Sequence, residues 1–111
     1  MDTQIKKELD EITGAILDAV QTERIYLFGS HAYGMPHKDS DFDLYVVIPD
    51  NSLRPLVAMQ EIGYALLRLR RRPVDVLVGT KSKFEQQREL PTLENTVYYK
   101  GVLLYGEQRL S

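Results

Sequence analysis

The sequence contains no cysteine and no tryptophan. Without cysteine there is no disulfide, no thiolate nucleophile and no cysteine-based zinc site. No apolar run approaches the roughly 20 residues that cross a membrane as a helix. A dominant charge is lacking as well. Against 16 Asp and Glu stand 14 Lys and Arg, a formal net charge of −2. That balance argues against a protein that coats nucleic acid by bulk charge. The segment from Met1 to Glu8 mixes both signs without an apolar stretch, unlike a signal peptide. The expectation is a soluble cytoplasmic domain with no membrane partner and no direct nucleic-acid binding. Its chemistry must come from carboxylates, hydroxyls, imidazoles or bound metals.

What is present suffices for a core. At 43% hydrophobic residues over 111, the composition fits one domain spanning residues 1–111. Ile5, Leu9, Ile12, Ile16 and Val20 form one apolar stripe and predict a first helix, with Lys6, Lys7, Glu8, Asp10, Glu11 and Asp18 mostly off it. Arg24–Phe28 reads as a buried strand. Gly29 to Ser40 reads as a loop with one helical turn from Ser30. Asp41–Ile48 is the strongest strand signal. Ser52 is placed to cap a helix over roughly Leu53–Arg70, with Leu56, Met59, Ile62 (or Gly63), Leu66 and Leu69 giving its helical spacing and inner face. Pro73–Val78 predicts a strand broken by Gly79. Thr80 caps a short helix, Pro91 separates it from another through Tyr98, and Gly101 stops that one before a strand at Val102–Tyr105. The order gives an α/β (α+β) domain, a small mixed sheet of about four strands with helices packed on it.

Three carboxylates stand out. Asp41 and Asp43 are two apart on a strand, so both point the same way. Carboxylates set side by side repel one another unless a cation lies between them. Oxygen donors grouped this way suit Mg²⁺ or Mn²⁺ rather than a soft metal. Asp75 interrupts the apolar run Val74–Val78, where a buried lone carboxylate is costly. If its strand neighbours that of Asp41 and Asp43, the three converge. Two divalent ions about 4 Å apart are the arrangement for in-line displacement at phosphorus. Gly29-Ser30 follows the first strand directly, where close backbone approach and free N–H groups favour a phosphate.

Each part alone has a plainer account. Asp-x-Asp can be a solvated strand start, Gly-Ser a simple turn, and Asp75 a charge on an edge strand. Together they are far more specific. An EF-hand start at Asp39 is excluded, because Leu44 occupies the place of its glycine and Asp50 that of its closing glutamate.

The pattern Gly29-Ser30, ten residues, Asp41-Phe42-Asp43 and then Asp75 resembles the minimal nucleotidyltransferase domains of the DNA polymerase β-like superfamily, in particular the antitoxin type. The resemblance implies that Asp41, Asp43 and Asp75 are catalytic and hold two Mg²⁺ ions, with Mn²⁺ as an alternative. It implies that Gly29 and Ser30 bind the nucleotide, ATP or another nucleoside triphosphate. Asp75 would also help deprotonate an acceptor hydroxyl, which attacks the α-phosphorus and releases pyrophosphate. For short members, the resemblance implies transfer of AMP to a tyrosine of a helical HEPN toxin. One alternative is a non-catalytic module that neutralises its partner by occlusion. Another is a small-molecule enzyme of the aminoglycoside-modifying type. Family loops often carry arginines after Gly-Ser; here His31 and Tyr33 stand in those places. The domain is also too small to wrap a large substrate, which implies a partner protein or a second copy of itself.

Other residues have plainer readings. His31 and His37 are expected to be exposed loop histidines. Arg68, Arg70, Arg71 and Arg72 are expected to be solvated charges at a helix end. Tyr26, Tyr45 and Tyr64 are expected in the core. Tyr98, Tyr99 and Tyr105 are candidates for an interface, although packing is the plainer account.

Overall fold

The computed structural model describes residues 2–34, 36, 40–69 and 72–107. The first helix, α1 (Thr3–Ala19), is started by Asp2, whose Oδ1 accepts from the N–H groups of Gln4 at 2.7 Å and Ile5 at 3.2 Å. Its apolar stripe is buried at Leu9, Ile12 and Ile16. Strand β1 (Arg24–Phe28) leads into a single turn of helix, α2 (Ser30–Tyr33), and then β2 (Phe42–Ile48). Helix α3 (Pro55–Leu67), strand β3 (Val74–Thr80), helices α4 (Lys81–Gln87) and α5 (Leu93–Lys100) and strand β4 (Val102–Tyr105) follow.

The strands form one sheet in the order β3-β2-β1-β4. β1 pairs antiparallel with both β2 and β4, whereas β2 and β3 are parallel across the α3 connection. Side chains alternate faces along each strand, which divides the core in two. On one face Ile25, Leu27, Phe42, Leu44, Val46 and Ile48 pack under α1 and α3. On the other, Tyr26, Tyr45 and Val47 meet Phe84 of α4 with Val97 and Tyr98 of α5. Phe84 lies at the centre of this second layer, with ring centroids 5.4 Å from Tyr26 and 5.2 Å from Tyr45. The Tyr45 hydroxyl donates to Glu94 Oε2 at 2.9 Å, so burial and that bond push its ionisation far above the ordinary tyrosine range.

Most expected elements form, with three differences. Helix α3 starts at Pro55, not Leu53, because proline at the first helical position presets the backbone. Ser52 does not cap it; its hydroxyl donates to the Pro49 carbonyl at 2.6 Å and closes the preceding turn. The inner face of α3 also differs at one position: Ile62, Leu66 and Leu69 meet the core as expected, but Leu56 does not. Ala58 and Ile62 are buried, while Leu56 and Tyr64 are 66% and 64% exposed, so Tyr64 is not a core residue. Finally, β3 runs through Gly79 to Thr80. The Tyr45 hydroxyl lies against Gly79 where a Cβ would stand, so this glycine makes room rather than breaking the strand.

Gly14 in α1 and Gly63 in α3 have nothing within 4 Å of a would-be Cβ. A helical glycine with free space costs roughly 0.5–1 kcal/mol relative to alanine. Gly14→Ala with Gly63→Ala is expected to stabilise the fold by about 1–2 kcal/mol, since distant sites add. Urea denaturation checks this, as a raised midpoint at unchanged slope.

Candidate active site

Strand pairing brings the sequence-selected residues to one end of the sheet. Phe28, the last residue of β1, is opposite Asp43, and Asp43 is in register with Asp75 of β3. Gly29 and Ser30 continue directly from Phe28, and Asp41 immediately precedes β2. Gly29 has φ 75°, in the left-handed region that favours glycine. A Cβ on it would run into Asp43 Oδ2 and lie 3.0 Å from Asp43 Cγ, so the turn and the carboxylate are fitted to each other.

Asp43 is half-buried and shares its face with Tyr45 and Val47. Its carboxyl is held above the usual range, first by burial, then by the charges of Asp75 and Asp41, with His31 opposing them. Asp41 and Asp75 are exposed. For Asp75 this corrects the expectation of a costly buried charge. β3 is an edge strand whose alternate residues, Asp75 and Leu77, face outward. Among the described residues, no three acidic or histidine side chains are gathered closely enough to enclose a metal ion. The donors are nevertheless all hard carboxylate oxygens with mutual repulsion, a set whose chemistry fits Mg²⁺ or Mn²⁺. An apolar cleft of about 630 Å³ lies elsewhere, between α3 and β3, lined by Met59, Gly63, Leu66, Leu69, Val74 and Val76. It belongs to the opposite face and holds none of the three carboxylates.

Two residues behave differently from their sequence reading. His31 is half-buried; its Nε2 lies 3.0 Å from the Ser40 carbonyl and its ring meets the Phe42 ring edge-on at 4.7 Å. Because a carbonyl only accepts, Nε2 carries the proton. Arg72 is not a solvated helix-end charge. Its Nε and Nη2 donate to the two carboxylate oxygens of Glu8 at 3.0 and 2.7 Å, and its Nη1 donates to the Ser40 carbonyl at 3.1 Å. Its guanidinium also lies 4.6 Å from the centre of the Phe42 ring.

Glu8, expected among the charges mostly off the α1 stripe, is instead only 6% exposed. The signal was its spacing: three after Ile5 and four before Ile12, it sits on the buried stripe itself. His37, Arg70 and Arg71 lie outside the described residues. Tyr98 is a core residue, whereas Tyr33, Tyr99 and Tyr105 are exposed.

The model of the nucleotidyltransferase domain family matches residues 4–104. Among curated proteins no relative matches. Among solved structures the fold is shared with a toxin–antitoxin with AMP-PNP, at TM-score 0.59 and 24% identity over 90% of this chain and 74% of that one. A mutant of the toxin–antitoxin MntA-HpeT is similar at TM-score 0.59 and 25% identity, over 89% of this chain and 72% of that one. A protein from Sulfolobus solfataricus described as a nucleotidyltransferase is similar at TM-score 0.57 and 21% identity, over 90% and 79%.

Proposed function

The chain belongs to the nucleotidyltransferase domain family, and from that membership we propose that it transfers AMP from ATP to a tyrosine hydroxyl of a helical HEPN-type toxin, acting as its antitoxin. The observation that carries this reading is the Asp43–Asp75 register beside the Gly29-Ser30 turn, with Asp41 and Asp75 exposed. A carboxylate site on an open edge can be reached by a hydroxyl presented from another protein. The toxin–antitoxin nature of structural neighbours, one of them with AMP-PNP, supports the partner and the nucleotide.

In this reading Asp41, Asp43 and Asp75 hold the divalent ions, and Gly29 and Ser30 receive the triphosphate. Bound ions supply positive charge where negative charge develops on the transferring phosphoryl group. Asp75 takes the proton from the acceptor hydroxyl. The hydroxyl oxygen forms its bond to the α-phosphorus as the bond to pyrophosphate breaks, and AMP remains on the acceptor. Exposure of Asp75 suits this role, since its carboxylate must meet an acceptor that arrives from solution.

Incubation with α-labelled ATP, Mg²⁺ and the product of the neighbouring gene tests the proposal. Label should appear on the partner, disappear with EDTA, and fall by at least about 100-fold with Asp41→Asn, because a metal ligand contributes no less than its outer-shell supports. An unlabelled partner in the complete mixture would sink the transfer reading.

A second reading, neutralisation by occlusion, is favoured by one observation. His31 stands where family loops carry arginine, and its ring is engaged by Ser40 and Phe42. On that reading Asp41→Asn would still silence the toxin.

A further inference from the structure

The segments that carry the site are tied together at one backbone atom. The Ser40 carbonyl accepts from His31, on the turn that follows Gly29-Ser30, and from Arg72, three residues before Asp75. Ser40 itself adjoins Asp41. On the other side of Asp41, Phe42 has the His31 ring against its edge and the Arg72 guanidinium over its ring. Its amide donates to the Pro73 carbonyl at 3.3 Å. Asp41 is thus clamped at both neighbours, while its own side chain is exposed.

Arg72 shares both of these ties with His31 and adds a third, to Glu8. Each of its three nitrogens meets a different acceptor atom, and its planar face covers an aromatic ring. Only a guanidinium offers that fork and that face together. Its second anchor, Glu8, lies on α1, with both side chains largely buried at 15% and 7% exposure. The pair therefore braces the clamp against the first core layer.

We propose that Arg72, braced by Glu8, is the positioning residue of the carboxylate site, fixing the Ser40–Phe42 segment and so where Asp41 and Asp43 stand relative to Asp75. The nitrogens of Arg72 are engaged by Glu8 and Ser40, so in this role it acts through the ligands. The inference rests on the reading that these three carboxylates hold divalent ions. A docking role for Arg72 that merely fastens α1 would affect stability alone, so the two roles separate by experiment.

The parent protein, Arg72→Lys and Asp43→Asn are titrated with Mn²⁺ alone, followed by the loss of the free-ion EPR signal, and melted without metal. Lysine keeps the ion pair with Glu8 but cannot hold Ser40 and cover Phe42 as well. Arg72→Lys is expected to melt cooperatively within roughly 10 °C of the parent. It should bind Mn²⁺ about 10- to 100-fold more weakly, the usual consequence of removing a support behind metal ligands. Asp43→Asn should lose measurable binding. Unchanged Mn²⁺ affinity in Arg72→Lys, however far its melting temperature falls, overturns the inference. Should Arg72→Lys not melt cooperatively, Glu8→Gln carries the same test: weakened Mn²⁺ binding supports the brace and unchanged binding overturns it. Absence of Mn²⁺ binding by the parent overturns the metal reading itself and the inference with it, and is seen before any variant is compared.

Discussion

Asp43→Asn is expected to abolish nucleotidyl transfer while making the metal-free protein more stable at neutral pH. The two effects have one cause. Asp43 is half-buried at the end of the sheet, its carboxyl raised by burial and by the charges of Asp75 and Asp41. A carboxyl whose folded value lies above its unfolded value binds its proton more tightly in the folded state. Stability therefore falls as pH rises from the ordinary carboxylate range through the raised value, and the penalty persists above it. Asparagine has nearly the same shape and carries no charge, so that penalty disappears. The same substitution removes an oxygen donor that the proposed metal site needs. Metal ions supply several kcal/mol of charge stabilisation in such reactions, so a loss of about 10³-fold or more is expected. Melting curves at pH 7 and at pH 4 check the stability half. The variant should gain on the parent at the higher pH and much less at the lower. Addition of Mg²⁺ should raise the melting temperature of the parent only. A variant that is less stable than the parent at pH 7 without metal would contradict this account.

Gly29→Ala should also damage activity, through geometry alone. At φ 75° an alanine is strained, and its methyl carbon would enter the space of the Asp43 carboxylate. Strain at such a position and overpacking each cost about 1–3 kcal/mol. Either the turn moves away from the end of β1, carrying Ser30 with it, or Asp43 swings off its position beside Asp75. Both separate the Gly29-Ser30 turn from the carboxylates. Misplacement by about 1 Å can cost 10²-fold in rate. The expected result is a folded protein, destabilised by roughly 2–4 kcal/mol, with transfer reduced at least about 100-fold. Gly29→Ala with near-normal transfer would show that the turn and Asp43 are not mutually fitted.

Much of this was legible in the chain because period and punctuation agreed. The α1 stripe, the apolar run of β2 and the cap at Thr80 all form as the residues predict. The candidate site residues were legible as types and spacings, but their meeting depends on sheet order. Only the pairing of β2 with β3 sets Asp43 beside Asp75. Long-range partners were the part that could not be read. Arg72 looked like one member of a basic run because nothing local reveals that Glu8 waits across the molecule. Tyr64 looked like core because aromatic side chains usually pack, whereas on α3 it lies off the inner stripe of Ala58, Ile62 and Leu66. Gly79 looked like a stop because glycine punctuates chains, whereas here it yields space to a hydroxyl on the neighbouring strand.

The sheet order also bears on the timing of assembly. β1, β2 and β3, which bear the Gly-Ser turn and two of the carboxylates, are consecutive in the chain. β4 instead comes from the far end, with Leu103 pairing to Tyr26. The entropy of closing so long a loop grows only logarithmically with length, so the equilibrium cost is modest. Kinetically the separation matters more, since distant pairings form slowly. The strands that build the candidate site can pair while the ribosome has yet to deliver the fourth.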